Sequence, residues 1–226
     1  MEATMSFESF NVVRRTGETR FSLRVSPRQQ AACELQLPNR LLAHFMDHFS
    51  KATGVQFELL SAEWPGSWQF DHVLCEDLGQ LVGRAIRELH DQRLERSGLP
   101  GRADVRCAMD DASCGVVLSI EGRPRADWVI PEALCINGFV DSWYDEDRIA
   151  GEAYGTNLRQ FVDGFVLGLG ATLQITVERC NNLHHLYETL FRALGDSVEI
   201  ALGALAERRR GESSGFAGRA SYEIER

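Results

Sequence analysis

Two stretches of this chain lie over one another without a gap. FDHVLCEDLGQLVGRAI (70–86) matches NLHHLYETLFRALGDSV (182–198), setting His72 on His184, Glu76 on Glu188 and Leu78 on Leu190. The first carries an apolar stripe at helical spacing through Leu74, Leu78, Leu81, Val82, Ala85, Ile86 and Leu89, so a helix is predicted from about Asp71 to Gln92. Ahead of it, RFSLRVSP (20–27) alternates as a strand, with ACELQLP (32–38) as its expected hairpin partner. NRLLAHFMDHFSKATG reads as a helix stopped at Gly54, VQFELLSAEW as a strand and PGSW as a turn. The second half repeats the order. ADVRCAMDD and CGVVLSIEGRP alternate as strands, NLRQFVDGFVLGLGA reads as a helix and TLQITVER as a strand. HHLYETLFRALGDSVEIALGALAERR closes it as a long helix. Strand, strand, helix, strand, helix thus occurs twice, which predicts an internal duplication. Residues 1–95 and 96–210 are the expected repeat units, and the Gly-, Ser- and charge-rich tail, 211–226, is expected to be loose.

Composition narrows the function classes. A net charge of −9 opposes binding to a phosphate backbone, so no nucleic-acid partner is expected, although basic residues can still gather around a small phosphorylated ligand. No apolar run approaches the roughly 18 residues of a membrane span. The start, MEATMSFESF, has neither a basic cluster nor an apolar stretch, and a cytoplasmic location is expected. Six cysteines without a CxxC pair read as reduced, buried thiols. Of 24 basic residues only Lys51 is lysine.

On a helix, residues four apart share a face while neighbours diverge by about 100°. His72 with Glu76, and His184 with Glu188, can therefore each converge on one ion, whereas His185 must serve a different site. The repeat suggests two quasi-equivalent sites, each taking a His/Glu pair from one repeat and an extra histidine from the other. His48 and Gln174 are the expected places for a fourth ligand. One site would then hold His48, His72, Glu76 and His185. The other keeps His184 and Glu188 but has Val73 and Gln174 at its remaining positions. Imidazole with carboxylate suits manganese, iron, zinc or cobalt alike. His44 and His90 fall outside this pattern and read as structural or solvated.

From about Arg14 to Ala206 the residues resemble the imidazoleglycerol-phosphate dehydratase family. Its R-x-T-x-E-T stands here as Arg14-Arg15-Thr16-Gly17-Glu18-Thr19, F-x-D-H-M as Phe45-Met46-Asp47-His48-Phe49, and D-H-H-x-x-E-D as Asp71 to Asp77. P-M-D-[DE]-A appears as Ala108 to Ala112, S-G-R-P as Glu121-Gly122-Arg123-Pro124, T-L-H as Thr172-Leu173-Gln174, and N-x-H-H-x-x-E-x-x-F-K as Asn182 to Arg192. The resemblance implies an α+β fold of tandem β-α-β units, of the ribosomal protein S5 domain 2-like kind, with mixed sheets covered by helices. It implies a manganese-dependent hydro-lyase of histidine biosynthesis, its site shared between subunits of a large homo-oligomer. It also implies Glu18 as proton carrier, Arg102 and Arg123 as phosphate ligands, Arg192, at the family's lysine, as a further substrate-binding residue, and metal ligands among His48, His72, Glu76, His184, His185 and Glu188.

The departures set the finer expectation. With Val73 and Gln174 assigned to one site, that site is expected to be empty or weak. The stretch after His48 is shortened to SKATG, and the family's C-terminal S-T-K-G survives only as Ser213-Ser214-Gly215. The expected activity is dehydration of imidazoleglycerol phosphate or of a related hydroxylated substrate with one intact metal site. The alternative is a non-catalytic relative whose metal serves binding or structure.

Overall fold

A computed structural model describes residues 7–28, 35, 37, 40–63, 71–132, 148–149 and 153–214. The first repeat runs β1 (Phe10–Arg15), β2 (Arg20–Pro27), α1 (Arg40–Thr53), β3 (Val55–Glu63) and α2 (Asp71–Leu94). The second runs β4 (Arg102–Met109), β5 (Ala112–Ser119), β6 (Arg125–Val129), the short pair β7 (Arg148–Ile149) and β8 (Ala153–Tyr154), α3 (Gly155–Leu169), β9 (Thr172–Cys180) and α4 (Leu183–Leu202).

The sheets repeat as the sequence does. β1, β2 and β3 pair antiparallel in that order, and β4, β5 and β9 do the same, with β6 added in parallel beside β9. Alternation puts one face of each strand inward: Phe21, Leu23 and Val25 on β2, Leu173, Ile175 and Val177 on β9, all fully buried. α1 and α3 both end at a glycine with positive φ, Gly54 at 66° and Gly170 at 69°. There the chain turns directly into a strand through the left-handed conformation that only glycine adopts freely. The fold is the duplicated α+β arrangement expected, and the buried residues of both halves form one continuous core.

The helices, however, pair across the repeats: α1 packs on α4 and α2 on α3. Between α2 and α3 the contact is backbone to backbone. A Cβ at Gly79 would lie 2.2 Å from the Phe161 carbonyl oxygen, and one at Gly164 would lie 2.2 Å from that of Glu76. Gly83 and Gly168 continue the seam on the same spacing.

Three local expectations are corrected. β2 pairs with β1 and β3, and of the expected hairpin partner at 32–38 only Leu35 and Leu37 are described, both buried. α4 stops at Leu202 instead of reaching Arg209: Gly203 caps it, and the Arg93 guanidinium donates to the Leu202 carbonyl at 2.7 Å. An interior glycine costs about 1 kcal/mol of helix stability, and the arginine satisfies a carbonyl the helix no longer uses. Residues 211–214 are held against 94–100, with the Leu99 N–H donating to the Glu212 carbonyl and the Gly211 N–H to that of Leu94. The expected turn at 65–68 and residues 215–226 lie outside the described residues.

Cys75, Cys107, Cys114 and Cys180 are free thiols, and burial pushes Cys107 up to about 11 and Cys114 and Cys180 up to about 12. Cys33 and Cys135 lie outside the described residues. Among the described residues no helix is long and apolar enough to cross a membrane.

Candidate metal centre

Asn182 opens α4 by accepting the His184 backbone N–H on its side-chain oxygen at 2.9 Å. One turn on, Glu188 reaches the seam with α1 with its side chain 10% exposed. Its two oxygens have separate surroundings. Oε1 accepts from His48 Nε2 at 2.8 Å and from Arg192 Nη2 at 3.0 Å. Oε2 faces His44 Nε2 at 3.5 Å and His184 Nε2 at 3.6 Å, both too long for good hydrogen bonds.

His48 is fully engaged. Arg192 Nε donates to its Nδ1 at 3.1 Å, which leaves the ring proton on Nε2 for Glu188. Burial, foremost, holds its pKa below the usual histidine range, and Arg192 and His44 add to that against the pull of Glu188. His48 is thus a neutral ring that orients a carboxylate. His184 is also held low, by burial first and by His44 next, and its Nδ1 is buried without a hydrogen-bond partner. Neutral imidazole with a free lone pair is the form that binds a metal ion. One donor atom each from His44, His184 and Glu188 lies within 4.8 Å of the others. Ligands each about 2.1 Å from a shared divalent ion stand roughly 3.0–3.5 Å apart, so this group fits one with little movement. Phe45, with rings of His184 and Phe191 each 5.5 Å from its own, forms the apolar floor.

A second group surrounds the N-terminal part of α2. The turn joining β1 to β2 closes on Thr16, whose hydroxyl accepts the N–H groups of Glu18 (3.1 Å) and Thr19 (2.9 Å). Asp77 fastens that turn to α2 by accepting from the Thr19 hydroxyl and pairing with Arg14 at 2.6 Å. The result is a cleft of about 430 Å³ in which Glu18 stands beside His72, Val73 and Glu76.

The expected donor sets are therefore regrouped within one chain. His48 lies on Glu188 instead of with His72 and Glu76, because α1 packs on α4 and not on the α2 of its own repeat. Gln174 is not the counterpart of His48. Gly54 and Gly170 stand 116 positions apart and mark the same junction, which sets Gly164 opposite His48 and Gln160 opposite His44. His185 sits apart, its Nδ1 2.7 Å from Asp111 Oδ1 at the β4–β5 turn, and that hydrogen bond raises its pKa above the usual value. Arg102 and Arg123 lie at the far end of the second sheet, at the Ser119–Thr172 edge. Eight strand residues at about 3.4 Å each put them roughly 25 Å from that turn in the same chain. Arg192, expected to bind substrate, is engaged within the chain by Glu188 and His48. His44, read as structural or solvated, belongs to the donor group, and its four-residue spacing from His48 was the signal for it. His90 is buried beside Asp91, as a structural histidine would be.

The imidazoleglycerol-phosphate dehydratase family model matches residues 38–198, well over half of the chain. The imidazoleglycerol-phosphate dehydratase of Teredinibacter turnerae is 28% identical over 193 residues, covering 84% of this chain and 88% of that protein. The one from Burkholderia mallei is 27% identical over 202 residues, 89% of this chain and 93% of its own. Among solved structures, the dehydratase of Staphylococcus aureus matches with a TM-score of 0.67 at 20% identity, over 88% of this chain and all of that one. The Pyrococcus furiosus enzyme matches at 0.66 and 25%, over 89% of this chain and 99% of that one.

Proposed function

The chain belongs to the imidazoleglycerol-phosphate dehydratase family, a family of hydro-lyases, and we propose from that membership that it is a metal-dependent dehydratase. Its substrate would be imidazoleglycerol phosphate or a related hydroxylated imidazole phosphate. The observation that carries the metal dependence is the convergence of His44, His184 and Glu188, with His48 and Arg192 orienting the carboxylate.

Dehydration removes a proton from one carbon and a hydroxyl from its neighbour, giving water and an enol that relaxes to a ketone. A divalent ion, manganese in this reading, supplies Lewis-acid polarisation of the substrate's imidazole when bound. The residues do the rest. Glu18, on a turn that Asp77 and Thr16 hold in place, is the carboxylate that moves the proton. His72 and Glu76 share its cleft and offer a second pair of donors. His185, oriented by Asp111, presents Nε2 to a neighbouring site. Arg102 and Arg123 grip the phosphate as planar forks. Their distance from the β4–β5 turn, where His185 sits, supports a site shared between copies, hence a homo-oligomer, and a cytoplasmic location goes with this reading.

The test is turnover of imidazoleglycerol phosphate by metal-loaded protein, with the ketone followed by NMR. Glu18→Gln should lower kcat by roughly 10²- to 10⁴-fold while leaving bound metal unchanged. A second reading, a metal-stabilised binding relative, is favoured by Val73, whose side chain brings no donor to the cleft that Glu18, His72 and Glu76 share. It predicts tight metal and ligand binding with no ketone formed.

A further inference from the structure

His44 lies outside every motif that carries the family resemblance, yet it is one of the three residues whose donors converge. We propose that His44 is a metal ligand and that, with His184 and Glu188, it completes a three-donor site inside a single copy of the chain. This rests on the reading that Glu188 and His184 hold a metal.

The argument starts from α1. Residues 44 and 48 stand one turn apart on the face that meets α4, so both histidines reach Glu188. They reach different oxygens and do different work. His48 has both ring nitrogens committed, to Arg192 and to Glu188 Oε1, and has no lone pair to give. His44 has Nε2 3.5 Å from Oε2, and its ring stacks on His184 at 5.4 Å with the planes 18° apart. Stacking sets the two imidazoles side by side against the same carboxylate oxygen.

Charge agrees with the geometry. Among the described residues Oε1 receives two donors, whereas Oε2 meets only ring nitrogens too far for good hydrogen bonds, Nε2 of His44 and of His184. A cation between Oε2 and the two Nε2 atoms supplies the partner that this oxygen lacks. The burial gradient gives the site a direction. The Glu188 side chain is 10% exposed and that of His44 is 44%, so the positions left for water or substrate face outward past His44. Two imidazoles and one carboxylate with open positions is the donor set of a catalytic first-row divalent site, not of a closed structural one.

The experiment is a titration of the metal-stripped full chain with Co²⁺ and separately with Mn²⁺, read by the cobalt d–d absorption and by equilibrium dialysis. Four proteins are compared: wild type, His44→Gln, His44→Asn and Glu188→Gln. Urea midpoints of the metal-free forms check folding, and the half-exposed His44 is expected to tolerate either change. Both His44 variants should bind one ion fewer per chain, or bind it more than 100-fold more weakly, with a changed cobalt spectrum. Glu188→Gln should lose the same ion. If Glu188→Gln loses it while both His44 variants keep wild-type affinity and spectrum, the role of His44 is overturned and the metal reading stands. If all three retain it, the metal reading of α4 fails first. Repeating the dialysis at dilutions where sedimentation shows single chains tests the last element: binding only in the assembled state would overturn completion within one copy.

Discussion

The two helix seams of this molecule descend from one repeated frame and are put to opposite uses. Along α2 and α3, glycines at 79, 83, 164 and 168 let the backbones touch, and no side chain fits between them. Along α1 and α4, the corresponding space is filled by Phe45, His48, Glu188 and Arg192. Only Gly195, whose added Cβ would meet Ala52 at 2.5 Å, keeps a trace of the tighter arrangement. Where the backbones close up, Glu76 is left facing outward to the Glu18 cleft. Where side chains hold them apart, Glu188 is drawn inward and surrounded. One His-x-x-x-Glu motif therefore gives an open cleft on α2 and an enclosed donor group on α4, and what differs is the partner helix.

The hardest test of that contrast is to force the α1 pattern onto α3. Gly164→His places a histidine where His48 stands in the other seam, but its Cβ would lie 2.2 Å from the Glu76 carbonyl. Relieving a backbone clash of that size means separating the helices, and a loss of at least about 4 kcal/mol, or no soluble protein, is expected. Urea denaturation measures it; near-wild-type stability would mean that the backbones do not meet.

Next in size is Asp77→Ala. Asp77 ties the Glu18 turn to α2, and removing it leaves Arg14, with its side chain 21% exposed, without its carboxylate. A loss of about 3 kcal/mol is expected, at the lower end for a buried pair because Arg14 keeps some water. Since the turn positions Glu18, kcat should fall as well; unchanged kcat in folded protein would detach Asp77 from that role.

The duplication, the four helices and both His-x-x-x-Glu pairs were legible in the sequence because periodicity of 2 and 3.6 survives divergence, whereas β1 and β6 were not read and 32–38 was given the place beside β2 that β1 takes. The pairing of helices across repeats was not legible. Periodicity shows which face of a helix is apolar, not which helix covers it. That ambiguity grouped His48 with Glu76, whereas within one chain it lies on Glu188, and matched Gln174 to His48 where the repeat sets Gly164. The same ambiguity hid His44, which makes sense as a donor only once α1 is known to lie on α4. The four glycines of the α2–α3 seam were in plain view, and their spacing, two pairs each four apart, was the available signal.

Metal itself provides the third test. An ion binding only the folded chain stabilises it by about 2.7 kcal/mol at 100 times its Kd. Wild type and Glu76→Gln should both show a Mn²⁺-dependent rise in Tm from the α1–α4 site, and Glu188→Gln should lose that part of it. Chelation should return wild type to the metal-free Tm. Equal losses in Glu76→Gln and Glu188→Gln would join the two seams into one site across copies.

The smallest effect separates ligand from support within the α1–α4 seam. Loss of a residue that orients a ligand usually costs 10- to 100-fold in metal affinity, less than loss of the ligand. His48→Ala should fall in that range. His48→Gln can still donate an amide N–H to Glu188 Oε1, although its short amide cannot also accept from Arg192 as the opposite ring nitrogen does. Glutamine should therefore recover most of the affinity and leave the cobalt spectrum of the bound ion unchanged. A His48→Gln protein that loses the ion as completely as Glu188→Gln would make His48 a ligand after all. The hydrogen bond from Arg192 to Nδ1 would then mark the orienting contact of that ligand, with Nε2 turned from Glu188 to the metal.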